Sequence, residues 1–159
     1  MSKTTLDVSL FAKLFAILPL LLWASLPSLT AQTRGTGTLT VHVNGARNTK
    51  GKIGVSLFQS PQGFPEDTSK AIRQESVEID PSTMSTQVVF KNLPQGTYAV
   101  SVLHDENGNG KMDKNFVGMP KEGYGASNNP KKKMHAPTFD EAKFSLDNAE
   151  QTIGVTLIY

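Results

Sequence analysis

Residues 104–129 read HDENGNGKMDKNFVGMPKEGYGASNN, a stretch rich in Gly, Asn and Asp and poor in aliphatic side chains. Within it Asp105, Asn107, Asn109 and Asp113 set oxygen-bearing side chains at alternate places, with Gly110 following the third of them. That spacing suits a hard cation. A tightly curled loop turns positions 1, 3 and 5 inward, glycine at 6 supplies the bend, and the residue at 7 offers its carbonyl. Lys111 holds the seventh position here and Asp113 the ninth. Calcium is the expected ion. The pattern stops short of a full EF-hand, because position 12 is Phe116 rather than a bidentate Glu. Glu122, nine residues after Asp113, is the nearest carboxylate able to fold back and complete the set. Two or three carboxylates with amide oxygens carry modest charge, which points to the weak extracellular range of roughly 10⁻⁴ to 10⁻³ M. The competing reading is an Asn/Gly-rich turn held by Asx hydrogen bonds without metal.

Other chemistry is harder to build. His104 beside Asp105 offers a ligand or a general base, and a hydrolase with its site under the long loop is the alternative this pair keeps open. A zinc triad would require His42, His104 and His135 to converge from distant places. Otherwise His104 is a strand-end residue that orients the loop through hydrogen bonds. No serine sits in a Gly-x-Ser-x-Gly context, and no glycine-rich phosphate loop leads from a strand into a helix. Residues 130–133 read PKKK and, with Lys114 and Lys121, form either a contact for anionic lipid or polysaccharide or a solvated loop. Tyr124 lies between two glycines, placed to stack on a ligand or to pin the loop to the domain.

The elements that must position these residues read as strands. Leu39, Val41 and Val43 alternate with polar neighbours, and the strand ends at Asn44-Gly45. Ile53, Val55 and Leu57 mark a second strand, expected to pair antiparallel with the first. Pro65, Glu66 and Asp67 suit the start of one or two helical turns that end near Arg73. Strand signals return over residues 75–79 and 86–90, and Leu93-Pro-Gln-Gly96 is a turn. Tyr98, Val100 and Val102 then face one side while Ala99 and Leu103 face the other, as in a central strand. Thr138 and Glu141 fit a capping box, Phe144 and Leu146 look like strand, and Ile153, Val155 and Leu157 alternate to the end. About seven short strands with scraps of helix predict an all-β, single-domain antiparallel β-sandwich, immunoglobulin-like or transthyretin-like, over residues 36–159.

Residues 1–31 read as a signal peptide: Lys3 and Lys13 are basic, residues 14–23 are apolar apart from Pro19, and Ala31 ends a run of small residues. The apolar run is shorter than the ~20 residues a spanning helix needs, so no stable membrane insertion is expected once the segment is removed. Removal takes away Lys3, Lys13 and Asp7 from totals of 16 basic and 14 acidic side chains, leaving a near-balanced chain that gives no argument for nucleic acid. The remaining ~130 residues suffice for one domain with a real core. Without cysteine, an exported domain must rely on its core, on sheet pairing or on a bound ion.

The run from Leu93 through Gly96, Tyr98, His104, Asp105, Asn107, Asn109, Gly110 and Asp113, followed by Gly118, Pro120 and the segment EGYGASNN at 122–129, resembles the DUF2141 family of exported bacterial proteins. Ala126 departs from it, standing where the resemblance implies a bulky aromatic. The resemblance implies an exported β-sandwich of unassigned molecular function and supplies no catalytic residues. The expected function is therefore a noncatalytic binding or structural module of the periplasm or cell exterior, with a protein or glycan partner and a loop calcium site.

Overall fold

The computed structural model describes residues 35–131 and 135–159, so the segment read as an export signal, and Lys132 and Lys133, lie outside the described residues. Eight strands carry the fold: β1 (Thr36–Asn44), β2 (Lys52–Phe58), β3 (Arg73–Val77), β4 (Thr86–Pro94), β5 (Gly96–Asp105), β6 (Gly123–Ala126), β7 (Phe144–Leu146) and β8 (Glu150–Thr156). One sheet has the order β4-β1-β8 and the other β3-β2-β5-β6, with β7 paired to the start of β5. All of these strands lie within the compact unit Arg34–Tyr159.

Alternation does its work on the inner faces. Leu39, Val41 and Val43 of β1 and Ile53, Val55 and Leu57 of β2 are buried in one core with Val88, Phe90, Tyr98, Val100, Val102, Leu146 and Val155. β5 is central, hydrogen-bonded to β2 on one side and β6 on the other. Its second apolar face also finds a partner: Ala99 packs with Ala126 and Ala142 beneath Phe64 and Phe139, whose rings meet edge-on at 5.9 Å. The small Ala126 thus sits under two aromatics supplied by other segments, rather than being one itself.

One expectation is corrected. β1 and β2 do not pair. Gly45, at φ 84°, ends β1, but residues 45–51 then carry the chain across to the other sheet instead of closing a hairpin. The all-β sandwich is otherwise as expected, its strand pairs antiparallel except that β8 joins β1 in parallel register from Thr38↔Glu150 to Asn44↔Thr156. A parallel neighbour needs a long crossover, and nearly the whole domain lies between these two strands. The turn at Leu93 to Gly96 likewise passes from one sheet to the other, joining β4 to β5 without pairing them.

Helix is reduced to single turns. The segment after Pro65 yields a 3-10 turn at Thr68–Lys70, whose cap Asp67 accepts from the Ser69 amide at 3.2 Å. The capping box forms as expected before α1 (Phe139–Ala142): Glu141 N donates to Thr138 Oγ1 at 3.3 Å, and Thr138 N donates to Glu141 Oε2 at 2.9 Å.

Candidate functional site

β5 delivers the loop at its C-terminal end, and the loop is wound around Asp105. The Asp105 carboxylate accepts from the amides of Gly108 at 2.8 Å, Asn109 at 3.1 Å and Gly110 at 2.7 Å. Asn107 Oδ1 accepts from Asn109 N and Asn109 Oδ1 from Lys111 N, two successive Asx turns. Gly108 and Gly110, both at φ 75°, give the left-handed bends this curl needs. Across the curl, Asn107 Nδ2 donates to Asp113 Oδ2 at 2.7 Å and Asn109 Nδ2 to Asp113 Oδ1 at 3.1 Å. Two amide NH2 groups therefore serve the Asp113 carboxylate, one on each oxygen.

Glu122 does fold back, and it is 4% exposed. Its Oε1 accepts from Glu106 N at 2.9 Å and its Oε2 from Asp113 N at 3.0 Å, so one carboxylate ties the entry and the exit of the loop. Lys121 N adds a bond to Asp113 O at 2.8 Å. The structure thus brings Asp105, Asn107, Asn109, Lys111 and Asp113 into one curl and places Glu122 at its neck. Among the described residues, no three His, Asp or Glu side chains converge in a way that could hold a metal. Any ion in the curl must draw on amide and carbonyl oxygens as well as on carboxylates.

His104 points elsewhere. It is fully buried, with Nε2 at 2.8 Å from Lys50 O and Nδ1 at 2.7 Å from the Tyr159 hydroxyl. A carbonyl can only accept, so Nε2 carries the proton and Nδ1 accepts from the hydroxyl. Tyr159 in turn accepts from Arg47 N at 3.0 Å, and the Arg47 guanidinium lies 4.5 Å from the centre of its ring. With both nitrogens engaged inside the fold and Asp105 bound to loop amides, the two residues do not form an acid–base pair. The bonds of His104 join β5, the 45–51 crossing and the last residue of the chain.

Arg47 and Asn48 were not marked by any motif, yet they hold the loop from its other side. Arg47 Nε donates to Glu106 Oε1 at 2.7 Å, its second guanidinium nitrogen reaches Lys121 O at 3.0 Å, and Asn48 Nδ2 donates to Glu106 Oε2 at 3.1 Å. Burial pushes the Glu106 carboxyl up, but the bonds from Asn48 and Arg47 outweigh it and hold the group below its ordinary value. Gly123 is required nearby, because a Cβ there would stand 2.5 Å from the Tyr159 ring. Tyr124 pins through its backbone, exchanging both hydrogen bonds with Ile158 at 2.9 Å, while its half-buried ring lines a shallow groove with Pro130 and Pro137.

The same network makes stability depend on high pH. Burial raises the Tyr159 hydroxyl above its ordinary value, with the Glu106 charge adding to it, and burial likewise raises Tyr98. A raised value means that the unfolded chain loses its proton first. Stability is then full below about pH 10 and declines as pH rises through the folded value. The urea midpoint should fall between pH 9 and pH 11, and Tyr159→Phe should show a shallower decline over that interval.

A family profile described as "Uncharacterized protein conserved in bacteria (DUF2141)" matches residues 41–154. The chain belongs to the DUF2141 family. The matched stretch holds the whole loop, Glu122 and His104 of this DUF2141 chain, while Tyr159 lies beyond it. No curated protein and no solved structure matches.

Proposed function

We propose that this chain is an exported, noncatalytic β-sandwich module of the periplasm or cell exterior, serving a protein or glycan partner, whose loop at 105–113 takes calcium. The observation that carries the calcium reading is the winding of the loop. Three consecutive amides close on the Asp105 carboxylate, and the side chains of Asn107 and Asn109 reach Asp113 across the same curl, which supports the reading. In this reading Asp105 and Asp113 supply charge, Asn107 and Asn109 supply amide oxygens after turning their NH2 groups away from Asp113, and Lys111 contributes its carbonyl. Glu122 serves by keeping the loop closed. The noncatalytic reading is supported by His104, whose two ring nitrogens are both committed to the fold.

Binding that occurs only in the folded state raises its stability, by about 1.4 kcal/mol at tenfold excess over the dissociation constant. The melting temperature should therefore rise by roughly 2–6 °C in ~10 mM calcium, well above the weak range expected here. Asp105→Ala should abolish the rise and Lys111→Ala should keep it, because position 7 would bind through its backbone. A melting temperature indifferent to calcium in the unaltered chain would leave the metal-free turn.

A further inference from the structure

The hairpin that follows the loop ends in an exposed apolar tip. Phe116 is 99% exposed, Val117 64% and Met119 52%, whereas every other large apolar residue described as exposed is below 40%. The tip is held in shape rather than slack. Asn115 N donates to Met119 O at 2.8 Å and Gly118 N to Asn115 O at 2.9 Å, while Asn115 Oδ1 accepts from the Val117 and Met119 amides. Lys114 and Pro120 bridge at the base, and Gly118 turns the chain at φ 81° with open space around it. Three apolar side chains on a braced, convex turn cannot enclose a small ligand. An exposed apolar patch of this kind marks an interaction surface.

The charge around the tip says of what kind. Lys114 and Lys121 stand at the two roots of the tip and Lys111 on the loop behind. Lys114 pairs with Glu66 at 2.8 Å, and neither Lys111 nor Lys121 has an ion pair among the described residues. The carboxylates at this end keep their charge but turn inward, Asp105 and Asp113 onto loop amides, Glu106 onto Arg47 and Glu122 buried on two amides, whereas Lys111 and Lys121 are exposed. An apolar point ahead of exposed lysines matches the interface of a bilayer with anionic headgroups, where the side chains enter the acyl boundary and the ammonium groups meet phosphate. We propose that residues 116–119 dock this domain reversibly on an anionic lipid surface, with Phe116 as anchor and Lys111 and Lys121 as headgroup contacts. This is surface contact, not spanning, and no helix among the described residues is long and apolar enough to cross a membrane.

The test uses the chain from Gln32 onward, since every strand and both apolar clusters lie within Arg34–Tyr159. Its only Trp, Trp23, is then gone, and F116W carries a single fluorophore at the tip. In EDTA, which keeps the outcome independent of the calcium reading, the chain should sediment with phosphatidylglycerol–phosphatidylcholine vesicles and far less with phosphatidylcholine alone. F116W emission should move to the blue with the anionic vesicles only. F116D should weaken binding on the order of tenfold, the effect of withdrawing one large apolar side chain from a part-buried state. It should melt like the unaltered chain, because Phe116 is almost wholly exposed. No sedimentation with anionic vesicles, unchanged F116W emission, or F116D binding as tightly as the unaltered chain would each overturn the proposal. Equal binding to both kinds of vesicle would overturn the role of the lysines, and capture of a soluble protein by a tip that ignores vesicles would overturn the lipid assignment.

Discussion

Gly51→Ala should lower stability by about 2–5 kcal/mol, the largest effect expected of any single methyl group in this domain. Gly51 ends the crossing from β1 to β2 at φ 64°, and a Cβ there would stand 1.8 Å from Asp105 O and 2.7 Å from Glu106 Cα. Both obstacles are backbone, so no side chain can swing aside. A left-handed conformation costs an L-residue roughly 1–2 kcal/mol, and overpacking a tight site typically costs ~1–3 kcal/mol more. The atoms displaced belong to the first two residues of the loop, so the curl should loosen along with the fold. Thermal melting should show a loss of roughly 8–20 °C for a domain of this size. A shift of under ~2 °C would mean that the two segments do not approach as closely as described.

His104→Ala should cost about 2–4 kcal/mol. The substitution removes the donor to Lys50 O and the acceptor of the Tyr159 hydroxyl, and an unsatisfied buried polar group costs roughly 1–3 kcal/mol. It also leaves a cavity where the imidazole was fully buried. The Tyr159 hydroxyl should then lose the bond that ties it to β5, while it still accepts from Arg47 N at 3.0 Å. Urea unfolding measures the loss directly. A catalytic histidine behaves differently: its removal ordinarily leaves folding nearly intact and strikes activity alone. A variant as stable as the unaltered chain would therefore contradict the structural role.

The strands were legible in the sequence because each has one face in a shared core. Leu39, Val41 and Val43 alternate as clearly on the page as they do in the sandwich. Pairing was not legible. Alternation says which side of a strand is buried, not which strand lies beside it, and the parallel joining of β1 and β8 spans most of the domain. Asn44-Gly45 marked the end of β1 correctly, but the same dipeptide serves a hairpin or a crossing, and here it opens a crossing.

The site divides in the same way. Local geometry could be read: the spacing predicts a tight curl, the Asx turns form on Asn107 and Asn109, and the capping box forms on Thr138 and Glu141. Glu122 could be read as a carboxylate that folds back, but not as one whose two oxygens take the Glu106 and Asp113 amides. Arg47, Asn48 and Tyr159 act across separations of 59, 58 and 55 residues, distances over which no spacing rule operates. The part-buried bond between Tyr159 and His104 exists only because β5 and Tyr159 meet in the fold.

The most direct test of the calcium reading is a crystal structure determined from crystals grown in ~10 mM calcium, a concentration above the weak extracellular range. The expected result is an ion ~2.3–2.6 Å from the Asp105 and Asp113 carboxylates, the Asn107 and Asn109 amide oxygens and the Lys111 carbonyl, with both Asn NH2 groups turned away from Asp113. No ion in the curl, with Asn107 and Asn109 still donating to Asp113, would contradict it.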